Sequence, residues 1–171
     1  MSAFDASRVV SIDANASCSF ICSSNNNIAR IEKMVKSLCR HYSPSLLSLP
    51  APEDVLDAPT DASSQTYHPF PPPSSLSNAE VATTLRSLGF GYRASFIQRT
   101  ASMLVEAHGL DNKTHSTEAS ERWLQTLRDR PTAEARDELL QFVGVGRKVA
   151  DCVLLMSLDK VRNAFEIYFE L

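Results

Sequence analysis

The stretch Gly144-Val145-Gly146-Arg147-Lys148-Val149-Ala150-Asp151-Cys152 decides the fold, because its two glycines stand between two segments of helical periodicity. Apolar residues recur at helical spacing on both sides of the glycines: Leu139, Leu140 and Phe142 before them, and Val149, Val153 and Met156 after them. Residues 132–158 are therefore predicted to form a helix that opens at Thr132, a tight turn and a second helix.

The glycines of this turn predict a binding property. Without a Cβ, Gly144 and Gly146 let the backbone come close to a phosphate, and the N–H groups that open the second helix, with that of Val149 among them, point at the anion. The positive end of the helix dipole adds to this attraction. Such a helix-hairpin-helix grips the DNA backbone without reading the base sequence, and a plain αα-hairpin is the alternative.

Lys148 and Cys152 are the candidate chemical groups of the second helix. Lys148 lies in the first turn, where the helix dipole disfavours the ammonium form, and a neutral amine is a nucleophile. Cys152 follows four residues later, so both side chains project from one helical face. A lysine beside a thiol in a partly desolvated pocket suits imine chemistry, whereas a solvated surface lysine is the alternative.

The remainder of the chain is also predicted to be mostly helical. Only 5 of the 171 residues are glycine, about 3% against a typical usage of roughly 7%, and this scarcity disfavours a β-rich fold with many tight turns. The polar cluster at residues 23–27 predicts the start of an amphipathic helix with a basic outer face. A capping box from Ser77 to Glu80 opens another helix, which Gly89-Phe90-Gly91 ends, and a further helix runs from near Tyr92 to Gly109.

Between these helices, residues 50–75 are rich in proline and are predicted to form an extended or poorly ordered connection. The net charge of −3 neither indicates nor excludes a partner that is a nucleic acid. No apolar run approaches the ~18 residues of a membrane span and no signal-peptide pattern opens the chain, so an intracellular protein with no membrane partner is expected. The four cysteines lack the spacing of metal ligands, so reduced thiols, no metal and no cofactor are expected.

Three segments resemble, in the same order, those of the 8-oxoguanine DNA glycosylase family, which are N-glycosylase/DNA lyases of the helix-hairpin-helix glycosylase superfamily. They are residues 20–30 (Phe-Ile-Cys-Ser-Ser-Asn-Asn-Asn-Ile-Ala-Arg), residues 88–94 (Leu-Gly-Phe-Gly-Tyr-Arg-Ala) and residues 144–152. The resemblance implies an all-α, incomplete helix-hairpin-helix DNA glycosylase domain over residues 16–160. Residues 1–15 and 161–171 have no counterpart, and we expect the family's N-terminal β-containing domain and C-terminal helices to be missing.

The resemblance implies base excision DNA repair. The family flips 8-oxoguanine opposite cytosine out of the duplex, attacks the sugar C1′ with a lysine amine and cleaves the strand by β-elimination from the imine. Lys148 stands at the position of the nucleophile, and Cys152 at a position that lines the base pocket. The backbone amides of Gly144, Gly146 and Val149 would hold the DNA phosphate.

The resemblance also implies a second group of residues, around the orphan cytosine. Asn25, Arg30 and Arg93 match positions that contact this base, and Tyr92 matches an aromatic wedge that replaces the lost stacking. Taken singly, Asn25 could be only a helix N-cap, Arg30 part of a solvated basic face and Tyr92 a core aromatic. The implied partner is double-stranded DNA containing an oxidised purine, bound by a monomer in the nucleus, with the mitochondrion as the alternative compartment.

Two departures from the family pattern bear on activity. Val143 replaces the proline that normally precedes the first glycine, which predicts a less rigid turn. The family's essential aspartate, which assists departure of the base, has no counterpart, and Asp151 and Asp159 match structural positions instead. The alternative functions are therefore a truncated, non-catalytic helix-hairpin-helix DNA-binding protein and a partial chain that does not fold stably.

Overall fold

A computed structural model describes residues 19–49, 65–108 and 118–160. Within these ranges the chain is mostly helical with one two-stranded sheet, which confirms the predicted class apart from the sheet. The predictions for residues 1–15 and 161–171, and for residues 50–64 of the connection, lie outside the described residues. None of the described helices is both long enough and apolar enough to cross a lipid bilayer.

The first long helix begins where the polar cluster predicts it. Residues 19–23 are helical and lead to α1 (Ile28–Tyr42). The α1 N-cap is Asn27, whose side chain accepts a hydrogen bond from the backbone N–H of Arg30 at 2.9 Å. The buried face of α1 carries Met34 and Leu38.

A short antiparallel sheet follows α1. Strand β1 (Leu47–Leu49) pairs with β2 (Gln65–Tyr67), and Leu47 lies opposite Tyr67. Strand β2 lies in the stretch predicted as an extended connection, and its pairing with β1 orders that part of the stretch. Helix α2 (Pro73–Leu76) begins in the same stretch with a proline, whose fixed φ suits the first position of a helix.

Helix α3 (Ala79–Ser87) is capped by Asn78, whose side chain accepts from the N–H of Glu80 at 3.2 Å. The predicted capping box is therefore wrong by one residue, because the hydroxyl of Ser77 donates to the carbonyl of Ser74 at 2.9 Å instead. Helix α3 ends as predicted at the first glycine pair, where Gly89 has a φ of +88°.

Helix α4 (Arg93–His108) is the centre of the described fold, because it packs against α2, α3 and α5 (Ala119–Thr126). Its inward face buries a row of small and apolar side chains together with one threonine: Ala94, Ile97, Thr100, Ala101 and Leu104. Burial on this face fixes the position of α4, and with it the residues at its start.

Helices α6 (Thr132–Leu140) and α7 (Arg147–Met156) pack against each other and form the predicted hairpin. The buried residues of α7 are Val149, Ala150, Val153 and Leu154. The prediction that Met156 belongs to the apolar face is wrong, since its side chain is 63% exposed. At 100° per residue the buried stripe is centred between Ala150 and Val153, and Met156 falls at its edge.

Candidate nucleic-acid interface

The hairpin turn between α6 and α7 is built by two glycines of different conformation. Gly144 has a φ of +85°, in the left-handed region that favours glycine, and the N–H of Val145 closes the turn on the carbonyl of Phe142 at 3.1 Å. Gly146 is extended, with φ −86° and ψ 177°, and is the N-cap of α7 without a side-chain cap. The N–H groups of the first turn of α7 therefore stay open to an anion within the described part of the chain.

Gly144 also packs against α4. A Cβ added to Gly144 would lie 2.7 Å from the Cβ of Phe96 and 2.8 Å from its Cγ, closer than such atoms approach each other. One turn further along α4, the buried hydroxyl of Thr100 donates to the carbonyl of Val143 at 2.8 Å. Helix α4 thus holds the turn at two points, although Val143 stands where the resemblance implies a proline.

The space that a missing Cβ leaves is used differently at the two glycines. At Gly144 the side chain of Phe96 fills it, so this space serves internal packing and is not open to a phosphate. At Gly146 an added Cβ would meet nothing within 4 Å. Only Gly146 therefore leaves open space beside the start of α7, where a ligand could approach closely.

Lys148 and Cys152 share one face of α7, as predicted. Lys148 is the second residue of the helix and its side chain is exposed, while Cys152 is half-buried one turn later. No hydrogen bond or ion pair among the described residues engages the Lys148 ammonium group. The described residues do not form the predicted partly desolvated pocket, because α7 is packed on its opposite, apolar face.

An ion pair joins the two helices of the hairpin. The Nε of Arg136 on α6 donates to Oδ1 of Asp151 on α7 at 2.8 Å, and the two side chains are 16% and 40% exposed. Because this carboxylate is engaged in holding α7 to α6, Asp151 has the structural role that its position predicts.

The three asparagines of the loop before α1 have different roles. Asn27 caps α1, and Asn26 donates from Nδ2 to the carbonyl of Cys22 at 3.0 Å while its Oδ1 accepts from the N–H of Asn27 at 3.0 Å. Asn25 is exposed, has a φ of +48° and does not cap the helix. The alternative in which Asn25 is only an N-cap is therefore wrong, and its side-chain amide is left for a ligand.

Hydrogen bonds join this loop to the turn that precedes α4. The Nη2 of Arg93 donates to the carbonyls of Ser24 and Asn25, the latter at 3.0 Å. In the opposite direction, Nη2 of Arg30 donates to the carbonyl of Gly89 at 3.2 Å. Each bond has a charged donor, which makes it stronger than a neutral one. The structure thus brings together the two sequence segments that were predicted to meet the orphan cytosine.

Tyr92 and Arg93 are adjacent but differ in exposure. The Tyr92 side chain is 52% exposed, so the alternative of a core aromatic is wrong, whereas Arg93 is 3% exposed. The guanidinium of Arg93 lies 4.5 Å from the centroid of the Tyr92 ring, a cation–π contact. The Nε of Arg93 is buried and has no hydrogen-bond partner among the described residues. Burial without a partner costs free energy at this nitrogen, which the bonds of Nη2 to the two carbonyls offset.

The buried thiol of Cys22 packs beneath the loop that contains Asn25. Cys22 is 2% exposed, and burial raises the pKa of its thiol to about 12, against the opposing effect of the Arg93 charge. The neutral thiol therefore packs as a small apolar group. Cys22, Cys39 and Cys152 are all free thiols in the structure.

The outer face of α1 is basic, as predicted, but part of its charge is paired. The Nζ of Lys36 lies 2.6 Å from Oε1 of Glu32, and this hydrogen bond lowers the pKa of Glu32. A shallow groove of about 310 Å³ follows this face past Lys33 and Arg40. None of its lining residues belongs to the hairpin or to the loop around Asn25, so it is not the predicted base pocket.

Sequence reasoning missed three residues that hold the interface: Phe96, Thr100 and Arg136. The spacing of Tyr92, Phe96 and Thr100 at intervals of four residues indicates one helical face. It does not indicate that the hairpin turn packs there, since residues 96 and 144 are distant in sequence.

Comparison with known proteins shows which family the chain belongs to. The model of the HhH-GPD superfamily base excision DNA repair protein matches residues 18–147. The N-glycosylase/DNA lyase of Saccharomyces cerevisiae is 40% identical over 141 residues, covering 82% of this chain and 33% of the relative. The N-glycosylase/DNA lyase OGG1 of Arabidopsis thaliana is 37% identical over 144 residues, covering 82% and 32%. The chain thus spans about a third of the length of the curated relatives that it matches.

A solved structure has the same fold. The Clostridium acetobutylicum 8-oxoguanine glycosylase/lyase, in complex with double-stranded DNA containing cytosine opposite to 8-oxoguanine, superposes with a TM-score of 0.64 at 23% identity. The superposition covers 86% of this chain and 42% of that chain. With the family model matching well over half of the sequence, the chain belongs to the HhH-GPD superfamily of base excision DNA repair proteins.

Proposed function

We propose that this chain carries the DNA-contacting part of an N-glycosylase/DNA lyase that removes 8-oxoguanine opposite cytosine, with Lys148 as the nucleophile. The observation that carries the proposal is that one helical turn combines an open N-terminus at Gly146 with the exposed amine of Lys148. Relatives named N-glycosylase/DNA lyase at 37–40% identity support the same activity.

The first turn of α7 would position the sugar as well as react with it. Its N–H groups, with that of Val149 among them, bind a backbone phosphate, and Gly146 leaves room for close approach. Because Lys148 is in the same turn, the register between phosphate and amine is set by helix geometry. Cys152 lies on the same face and would border the flipped base.

In the proposed reaction the amine of Lys148 attacks C1′ of the sugar. The new C1′–N bond forms as the bond from C1′ to the base breaks, and the departing base takes the electron pair and then a proton. Opening of the sugar ring gives an imine. Loss of a proton from C2′ then expels the 3′ phosphate by β-elimination, which breaks the strand.

The loops around Asn25 and Tyr92 would serve the opposite strand. The exposed ring of Tyr92 is suited to enter the gap that the flipped base leaves. The amide of Asn25 and the guanidinium of Arg30 offer hydrogen bonds to the orphan cytosine, and Arg93 would contact the same base if its buried side chain turned outward on DNA binding. The partner we propose is double-stranded DNA with an oxidised purine, bound by a monomer in the nucleus, with the mitochondrion as the alternative compartment.

The second candidate function is a DNA-binding protein without catalysis. Two observations favour it: Asp151 is engaged by Arg136, and the described residues around Lys148 leave it exposed to solvent. This protein would keep the phosphate contacts of the hairpin and the loops for the orphan cytosine, but it would not form the imine.

Borohydride trapping distinguishes the two functions. The protein is incubated with duplex DNA that carries either 8-oxoguanine or an abasic site opposite cytosine, and reduction of the imine gives a covalent adduct. We expect adducts on both duplexes, their loss in Lys148→Gln, and their retention in Lys33→Gln, which removes an exposed lysine from α1 instead. Binding that weakens with salt but gives no adduct on either duplex would establish the second function.

A further inference from the structure

Phe96 lies between the two parts of the interface. Its ring meets the ring of Tyr92 edge to face, with centroids 5.7 Å apart and an interplanar angle of 71°. Its Cβ and ring also contact Gly144 in the hairpin turn. We infer that Phe96 is a positioning residue that fixes the Tyr92 wedge relative to the turn that presents Lys148. This inference rests on the proposed function, and it adds a residue that neither the sequence motifs nor the proposed reaction uses.

Phe96 makes close contacts with both parts of the interface. Phe96 and Thr100 lie one turn apart on α4, and Tyr92 lies in the turn that precedes the helix, four residues before Phe96. The Thr100 hydroxyl donates to the carbonyl of Val143, so the start of α4 connects the wedge to the hairpin turn. Thr100 also belongs to the buried face of α4, so Phe96 lies at the edge of the face that packs in the core. Because Gly144 has no Cβ, the ring of Phe96 abuts the backbone of the turn, and no rotatable side chain lies between them.

Base flipping explains why the position of Tyr92 relative to the hairpin turn matters. The wedge must fill the gap in the stack while the amine reaches the sugar of the same nucleotide, so the separation between Tyr92 and Lys148 has to match the dimensions of the DNA. A misplacement of about 1 Å can cost roughly 10²-fold in rate. Phe96 is half-buried and packs against the core, so it sets this separation through its neighbours and without contacting the reacting atoms.

The test compares Phe96→Leu with two matched variants. Phe96→Leu removes the ring and should lower the rate of borohydride trapping at an abasic site opposite cytosine by about 2- to 13-fold. This fold-change corresponds to the interaction energy of one edge-to-face aromatic pair. Its affinity for undamaged duplex DNA should stay within about twofold, since the phosphate-binding N–H groups remain. Phe96→Tyr, which keeps the ring, should restore trapping. Phe70→Leu removes another half-buried core phenylalanine and should leave the trapping rate unchanged.

A second measurement needs no enzymatic activity. In hydrogen exchange with mass spectrometry, Tyr92→Leu should speed exchange of the amides of residues 143–149, and it should cause no further increase in a Phe96→Leu background, because the contact is already lost.

The inference is overturned if Phe96→Leu traps as fast as the unmodified protein, if Phe70→Leu lowers trapping equally, or if Tyr92→Leu leaves exchange at 143–149 unchanged. Absence of an adduct with the unmodified protein counts against the proposed function. In that case the exchange result still decides whether Phe96 connects the wedge to the turn.

Discussion

Three glycine-to-alanine substitutions separate the two reasons why residue 144 is glycine. At Gly144 the backbone has a φ of +85°, and an added Cβ would lie 2.7 Å from the Cβ of Phe96. At Gly89 the φ is +88°, but an added Cβ would meet nothing within 4 Å, so only the backbone cost is present. At Gly146 the φ is −86° and the space is open, so neither cost is present.

The expected losses follow from these geometries. A left-handed backbone costs a residue with a Cβ about 1–2 kcal/mol, and forcing a carbon into filled space typically costs a further ~1–3 kcal/mol. Gly144→Ala should therefore lower the free energy of unfolding by about 2–5 kcal/mol and Gly89→Ala by about 1–2 kcal/mol. Gly146→Ala should change it by less than about 1 kcal/mol, since alanine is only a poorer N-cap there.

Urea denaturation followed by tryptophan fluorescence measures all three losses. Trp123 is the single tryptophan, and its ring centroid lies 5.9 Å from that of Phe142, just before the turn, so its emission reports on this region. The excess loss of Gly144→Ala over Gly89→Ala is the contribution of packing against Phe96. Equal losses in these two variants would refute the packing argument, and an equal loss in Gly146→Ala would refute the conformational one.

Three further outcomes are expected. Gly146→Ala should weaken binding to duplex DNA in fluorescence anisotropy with little change in stability, whereas unchanged affinity would contradict phosphate binding at the start of α7. Arg93→Lys should lower the free energy of unfolding by about 1.5–3 kcal/mol in urea denaturation, because the shorter lysine side chain cannot place its nitrogen where Nη2 binds the carbonyls of Ser24 and Asn25; a variant as stable as the unmodified protein would contradict this. The folded pKa of Cys22, about 12, exceeds its ordinary value of 9.0, so its contribution to stability is complete below pH 9 and is lost as pH rises towards 12. The slope in this window should reach about 1.4 kcal/mol per pH unit and should flatten in Cys22→Ala; identical pH profiles would contradict it.

Local signals account for what could be predicted of the helices. The polar cluster before α1 contains its cap, and the glycine pairs at 89–91 and 144–146 lie where helices end or begin. The wrong predictions arise where a distant or competing contact determines the local structure. Ser77 does not cap α3 because its hydroxyl donates to the carbonyl of Ser74. Strands β1 and β2 have three residues each, which is too few for an alternation of apolar and polar residues to predict a strand.

In the candidate site, too, local motifs predicted the residues but not their tertiary contacts. Its residues could be named from three motifs, and their order along the chain indicated the family. The motifs did not indicate that Arg93 would be buried and bound to the loop of Asn25. For Lys148 they left a desolvated pocket and a solvated surface position open, and the described residues leave its side chain exposed.

The sequence by itself determined the local features of this protein: the helical segments, the polar cluster that caps α1, the glycine turn and the side chains available for chemistry. Each of these depends on residues a few positions apart, whose conformational preferences act within one helical turn. Only the tertiary structure decided that α4 holds the hairpin through Phe96 and Thr100, and that Arg30 and Arg93 join two distant loops. These contacts bring together residues far apart in the chain, and their partners are selected by close packing around a buried central helix, which no local pattern encodes.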